Sequence, residues 1–224
     1  MGSDKQHKRA IQLLREGVFP TDWALVPVAG KKTYLKSWTK IALDRQKLEL
    51  EYKLNTSYKG LGVVTGGFSN GLIALDIDGP TADERYRELA GDEYMPFGLE
   101  DTWTSTSGRE GRRQIFWYVP GSMKSELVNV KKVIRRVEGC WHLGAGDPVN
   151  KEQEEKAAED AKYEELVLRY NCCQSVLPGS PHPVTKKPYW FANDVRQVKV
   201  APDWVIDVLM PFRKPVGFLD NAAL

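Results

Sequence analysis

The sequence predicts an α+β domain, and three observations predict it. Short runs rich in β-branched and apolar residues, bounded by glycine, proline or asparagine, recur at 60–67, 72–79 and 174–177. Helical patterns fall between them at uneven intervals, without the strict strand–helix alternation of a doubly wound sheet. The 224 residues are 42% hydrophobic and 28% charged, which is enough to bury a core and argues against disorder.

Taken in order, residues 4–17 read as an amphipathic helix with Ile11, Leu13 and Leu14 on its apolar face and Gly17 at its end. Residues 23–28 read as a strand, and 29–32 as a turn presenting Lys31 and Lys32. A second helix is expected over 38–54, with Leu43, Leu48, Leu50 and Leu54 on one side. Residues 60–67 and 72–79 form the pattern of a β-hairpin with a glycine-rich loop. Residues 80–90 follow as a helix with Asp83 and Glu84 in its first turn. Two strands, 102–107 and 113–119, flank a loop that holds Gly108, Arg109, Glu110 and Gly111. Residues 131–138 form a basic strand pattern, and 151–165 a charged helix of high intrinsic propensity. Strands are expected at 166–170, 174–177 and 189–191, with a stiff Pro-Gly-Ser-Pro-His-Pro turn at 178–183 between the last two. A last helix opens at 201 and runs to about 210.

The formal net charge is only +2, so charge alone names no partner. Acids concentrate at 152–165, which leaves the remainder more basic. The cysteines are Cys140, Cys172 and Cys173; adjacent cysteines in an odd set argue against a disulfide framework and fit a reducing cytoplasm. Cys140 and His142 have no second ligand pair at zinc spacing. No apolar run suggests a signal peptide or a membrane span.

The segment Leu72-Ile73-Ala74-Leu75-Asp76-Ile77-Asp78-Gly79 carries the chemistry. Side chains alternate along a strand, so Asp76 and Asp78 share a face while Ile73, Leu75 and Ile77 enter the core. Two such carboxylates, with Cα atoms roughly 6–7 Å apart, repel unless a cation lies between them. Hard divalent ions, Mg²⁺ or Mn²⁺, suit those oxygens and are commonly shared with substrate phosphates. An Asp-x-Asp sequence is also common at a solvated strand end, so the pair is informative only with its surroundings.

Those surroundings resemble a known family. Gly62-Val63-Val64-Thr65-Gly66 followed by Gly71 to Gly79 resembles the bifunctional DNA primase/polymerase domain of the archaeo-eukaryotic primase superfamily. Residues 23–38, the Thr106–Gln114 loop, the Leu168-Arg169-Tyr170 strand and the Gln174–Pro183 segment match further motifs in the same order, as do Tyr189-Trp190 and 201–204. The resemblance spans about residues 10–210 and is nearest to plasmid or phage replication proteins. It implies an RRM-like catalytic unit packed with an N-terminal α/β module, divided near residue 58. It implies template-directed nucleotidyl transfer that makes or extends primers, with Mg²⁺ or Mn²⁺, a DNA template and primer, and dNTP or NTP. A helicase domain or protein is a further possible partner.

Residue by residue, Asp76 and Asp78 match the metal ligands. Arg112, Arg113, Gln114, Arg169, Ser180 and His182 are nucleotide candidates; Lys31, Lys32 and Arg109 are DNA candidates. Arg113 and Gln114 alternate, so only one of them can face the site. Gln114 stands where the family usually has histidine. Val167 stands where it has a third acid; Glu165, two residues earlier, is the nearest substitute, although helix propensity favours Glu165 as the end of the charged helix. The alternatives are a non-catalytic DNA-binding module of a replication initiator, favoured by Val167, and an Asp-x-Asp glycosyltransferase, in which the Ser-Gly-Arg loop has no role.

Overall fold

The computed structural model describes residues 9–40, 43–109, 111–128, 130, 132–135 and 164–213. It is α+β, with two sheets and four short helices among the described residues. In chain order these are α1 (Ala10–Arg15), β1 (Leu25–Val28), α2 (Arg45–Leu54), β2 (Gly60–Val64), β3 (Leu72–Asp78), α3 (Pro80–Ala90), β4 (Thr104–Thr106), β5 (Arg112–Tyr118), β6 (Lys132–Arg135), β7 (Glu165–Arg169), β8 (Gln174–Val176), β9 (Trp190–Phe191), β10 (Lys199–Val200) and α4 (Asp203–Leu209). No helix among them is long and apolar enough to cross a membrane.

The central sheet runs β6-β7-β3-β5-β4-β9, with β10 pairing parallel to β5. Strand β3 lies between β5 and β7, antiparallel to both, so its side chains are fixed from either side. The small sheet runs β1-β2-β8. It draws β1 from the N-terminal 58 residues and β2 and β8 from beyond them.

The expected hairpin over 60–79 is corrected here. Strands β2 and β3 belong to different sheets, joined by a single Gly66–Leu72 bridge. The glycine turn between them, with Gly66, Asn70 and Gly71 at positive φ, passes the chain from one sheet to the other rather than folding it back on itself. Its closure rests on Ser69, whose hydroxyl donates to the Val64 carbonyl at 2.6 Å and accepts from the Ala24 N–H at 2.9 Å.

Each face of the central sheet has its own core. On one, Ile73, Leu75 and Ile77 pack with Ile115, Trp117, Leu166 and Leu168 against Tyr86 of α3 and Val205, Ile206 and Leu209 of α4. On the other, Leu72, Ala74 and Phe116 pack with Trp103 against Trp23, Leu61 and Val63 of the small-sheet layer and Leu13 and Leu14 of α1. Burying this many large apolar side chains, at about 25 cal/mol per Å² of apolar surface, drives the two sheets together. That second cover stops at Ala74. Asp76 and Asp78 are the next two residues on the same face, and there a cleft opens between the layers.

Helix boundaries moved for local reasons. Helix α2 starts at Arg45, not 38, because the Asp44 carboxylate caps it by accepting from the Lys47 N–H at 2.8 Å. Of its expected apolar face only Leu48 is buried; Leu50 and Leu54 are exposed. Most of the charged helix expected over 151–165 lies outside the described residues, as do Cys140 and His142, but its end is corrected. Glu165 is the first residue of β7, and Glu164 instead accepts from the Thr81 N–H at 2.7 Å at the start of α3.

Candidate active-site cleft

Register fixes which side chains meet. Directly opposed residues of an antiparallel pair share a face. Asp76 is opposed by Gln114 and Val167, and Asp78 by Arg112 and Glu165; Ala74 is opposed by Arg169. Ser105 lies opposite Gln114 in the next strand. Four strands thus contribute polar side chains to neighbouring rows of one face at the open end of the sheet.

Both carboxylates are held by side chains of this face and of the adjoining loop. Gln114 Nε2 donates to Asp76 Oδ1 at 3.1 Å, and Arg169 pairs with Asp76 Oδ2. Arg112 pairs with Asp78 Oδ1, and Arg109 lies 3.7 Å from the same oxygen. Across the cleft, about 380 Å³ in volume, stand Lys31, Trp38, Cys172, Cys173, Gln174 and Tyr189. That volume is in the range of small-molecule sites, ~300–1,000 Å³.

The loop carrying Arg109 is fixed by its glycines. Gly108 has φ +74, and a Cβ there would meet the Trp190 ring at 2.2 Å. Gly111 has φ +62, and a Cβ would sit 2.8 Å from the backbone carbon of Gly79, next to Asp78. The loop is therefore pressed onto both Trp190 and the β3–α3 turn, which brings Arg109 over the acids.

The electrostatics follow from crowding. Burial lowers the Lys31 pKa, with Asp78 and Asp76 pulling it back up. Burial also lowers that of Arg109, helped by neighbouring Arg112 and opposed by Asp78. Burial, then Asp76, pushes the Tyr189 hydroxyl well above its usual range.

The candidate residues separate into those brought to the acids and those that are not. Lys31, Arg109, Arg112, Gln114 and Arg169 all line the cleft with Asp76 and Asp78. Lys32 is exposed and is not among the lining residues. Arg113 also borders the cleft, but its guanidinium turns to the opposite face, where its Nη2 lies 2.7 Å from Asp83 and its Nε 2.7 Å from Glu100. Ser180 is fully buried; its hydroxyl accepts from the Leu61 N–H at 2.9 Å and donates to the Leu61 carbonyl at 3.1 Å, which ties the turn to β2. His182 is 1% exposed. Its Nδ1 accepts from the N–H groups of Val184 and Thr185. Burial, aided by Arg109 and Lys31, lowers its pKa to about 4, so the ring is neutral at pH 7. Neither Ser180 nor His182 is among the residues lining the cleft.

Glu165 opposes Asp78 in the backbone register, one pair away from Val167 where the third acid is expected, and it is not among the residues lining the cleft. Among the described residues no three His, Cys, Asp or Glu side chains form a group able to hold a metal. Two carboxylates on one face still fit a Mg²⁺-type ion, because such ions keep several waters and complete their shell with substrate phosphate oxygens.

Sequence reasoning passed over Tyr189, Gln174 and Ser105. Tyr189 is 6% exposed yet lines the cleft. Ser105 Oγ, Gln114 Oε1 and Gln174 Nε2 are buried without hydrogen-bond partners in the structure. The one signal for Tyr189 in the sequence is its place in the short aromatic run after the stiff 178–183 turn, which does not distinguish it from a core aromatic.

The family described as bifunctional DNA primase/polymerase, N-terminal, matches residues 18–204. No curated protein matches the chain.

Proposed function

The chain belongs to the bifunctional DNA primase/polymerase family, and from that premise we propose that it performs metal-dependent, template-directed nucleotidyl transfer in the cleft at Asp76 and Asp78. The domain is of the primase/polymerase replication type, with DNA and nucleotide substrates. The single observation that carries the finer reading is the pairing of two carboxylates on one strand face with four cations around them in an open cleft.

In this reading Asp76 and Asp78 hold the divalent ion, which, when bound, draws charge from the phosphate oxygens and lowers the pKa of an attacking hydroxyl. Arg112 and Arg169 bind the phosphates through charged, directional hydrogen bonds. Arg109, on its glycine-braced loop, neutralises charge that builds on the leaving pyrophosphate. Gln114 orients Asp76 and adds no charge of its own. The wall of unpartnered polar atoms at Ser105, Gln114 and Gln174 supplies hydrogen bonds to the sugar or base. Lys31 contributes to phosphate binding inside the cleft rather than to template contact outside it.

The test is extension of a labelled primer on a DNA template with Mn²⁺ or Mg²⁺. Wild type extends the primer. Asp76→Ala with Asp78→Ala reduces incorporation at least ~10³-fold, beyond what one electrostatic donor contributes. Equal extension by the double variant would refute the site.

A second reading has one observation in its favour. Val167 occupies the position opposite Asp76 where an acid is expected, and it is buried. On that ground the domain is a primase-fold DNA-binding module of a replication initiator. Duplex or single-strand binding without any nucleotide incorporation, across both metals, would support it over the first.

A further inference from the structure

The charges lining the cleft do not balance. Among the described lining residues Asp76 and Asp78 supply two negative charges and Lys31, Arg109, Arg112 and Arg169 four positive ones, a surplus of two once Arg113, which also borders the cleft but is neutralised by Asp83 and Glu100, is set aside. The cations are not merely nearby. Arg169 occupies Asp76 Oδ2, and Arg112 occupies Asp78 Oδ1 with Arg109 3.7 Å away.

A divalent cation entering by itself meets two obstacles. It raises the local surplus from two to four in a cleft where low polarity strengthens repulsion. It must also displace guanidinium groups from the oxygens it needs. A triphosphate reverses both. Its roughly four negative charges attract the guanidinium groups, which bind phosphate oxygens as readily as carboxylates. The carboxylate oxygens are then released to the metal. A triphosphate carrying one divalent ion has a net charge of about −2, which matches the surplus.

Resting on the nucleotidyl-transfer reading, we infer that the cleft is an anion site before it is a metal site: it takes a divalent ion only together with a triphosphate, as Arg112 and Arg169 pass from the carboxylates to the phosphates. Metal and nucleotide are then coupled ligands, each tightening the other by the same factor. Two carboxylates already engaged by guanidinium groups make a poor cage for a free ion.

Calorimetry on the whole chain tests it with three probes: Mn²⁺ alone, inorganic triphosphate alone with chelator, and the preformed manganese–triphosphate complex. The expected order is complex tightest, triphosphate next, and Mn²⁺ alone at least tenfold weaker than triphosphate. Arg112→Gln separates this from a structural role. It tightens Mn²⁺ binding and weakens triphosphate binding, whereas damage to the fold weakens both. If Mn²⁺ alone binds wild type within tenfold of triphosphate, or more tightly, the inference falls while the nucleotidyl-transfer reading stands. If neither triphosphate nor its complex binds, that reading falls with it.

Discussion

On the cleft face of the central sheet, Arg112 and Arg169 meet Asp78 and Asp76 with 9–27% of each side chain exposed. On the opposite face, Arg113 meets Glu100 with neither side chain exposed at all. Both faces carry arginine–carboxylate pairs, and two of the arginines are sequence neighbours. The difference lies in what covers them. Beneath Arg113 lie α3 and the 95–100 loop: Asp83 and the Met95 carbonyl take its Nη2, and the rings of Tyr86 and Phe97 lie 5.6 and 5.8 Å from the guanidinium. Arg112 instead lines the cleft. A sealed pair can serve only structure, because no ligand reaches it. A pair at the lip of a cleft can exchange its partner for a ligand. Burial, rather than residue type, divides the two roles.

The comparison is broken most severely by removing the sealed arginine. Arg113→Met should destabilise the fold by about 3–5 kcal/mol, because Glu100 keeps a buried charge with no counter-ion. Burial already raises the Glu100 pKa, against the pull of Arg113. Adding Glu100→Gln to Arg113→Met should recover much of the loss. Denaturant unfolding measures both, and an Arg113→Met protein of wild-type stability would contradict the division drawn here.

The cleft arginines should behave in the opposite way. Arg169→Gln is expected to raise the KM for nucleotide about 10- to 100-fold, the size of one lost charged hydrogen bond of ~1.5–3 kcal/mol. Its effect on stability should stay within about 1 kcal/mol, since the pair is partly solvated. Steady-state extension and thermal unfolding of the same preparation give both numbers. A large stability loss with unchanged KM would place Arg169 with Arg113.

His182 sharpens the comparison by pH. Its folded pKa, about 4, lies below the unfolded value near 6.5. Between those values the unfolded chain binds the proton and the folded one does not. Stability is therefore full above pH ~6.5 and is lost as pH falls toward 4, by up to about 3 kcal/mol. His182→Asn keeps an acceptor for the Val184 and Thr185 N–H groups and removes the titration. Its unfolding free energy should be flatter than wild type between pH 6.5 and 4, while nucleotide KM at pH 7.5 is unchanged. An increased KM would return His182 to the nucleotide site.

The smallest effect is expected from Val167→Glu. If two acids and the substrate phosphates suffice to hold the ion, the substitution, read per folded molecule because a carboxylate at this buried position costs stability, raises primer extension by less than about threefold. A tenfold gain in the extension assay would instead mark the third acid as limiting and favour the weakened-module reading.

Much of the fold was legible because the signals were local. The alternation of Leu72 to Asp78 identified β3 and put both acids on one face, and the glycine run at 66–71 identified the turn before it. The hairpin was misread because a strand–turn–strand pattern does not say whether the strands pair with each other. That choice depends on β8 and β5, which lie far away in sequence, beyond the reach of a local pattern, and compete for the same edges. Glu165 was misread because helix propensity is a weak preference that a strand position beside β3 overrides. Ser180 and His182 are nucleotide candidates through the resemblance and their place in a stiff turn, and neither signal says which way such residues face. Burial turned both inward.

By itself the sequence determined the α+β class, the family, and the strand that carries the two acids, because each rests on spacing within one element. It also determined that only one of Arg113 and Gln114 could face those acids. Tertiary structure decided which one. It decided, too, that Arg109, Arg112, Arg169 and Lys31 converge on Asp76 and Asp78, since they come from separate loops and strands whose register is set by packing. The physical reason is that periodicity fixes the direction of a side chain relative to its own backbone, whereas solvent access and charge partners depend on what the rest of the chain lays against that backbone.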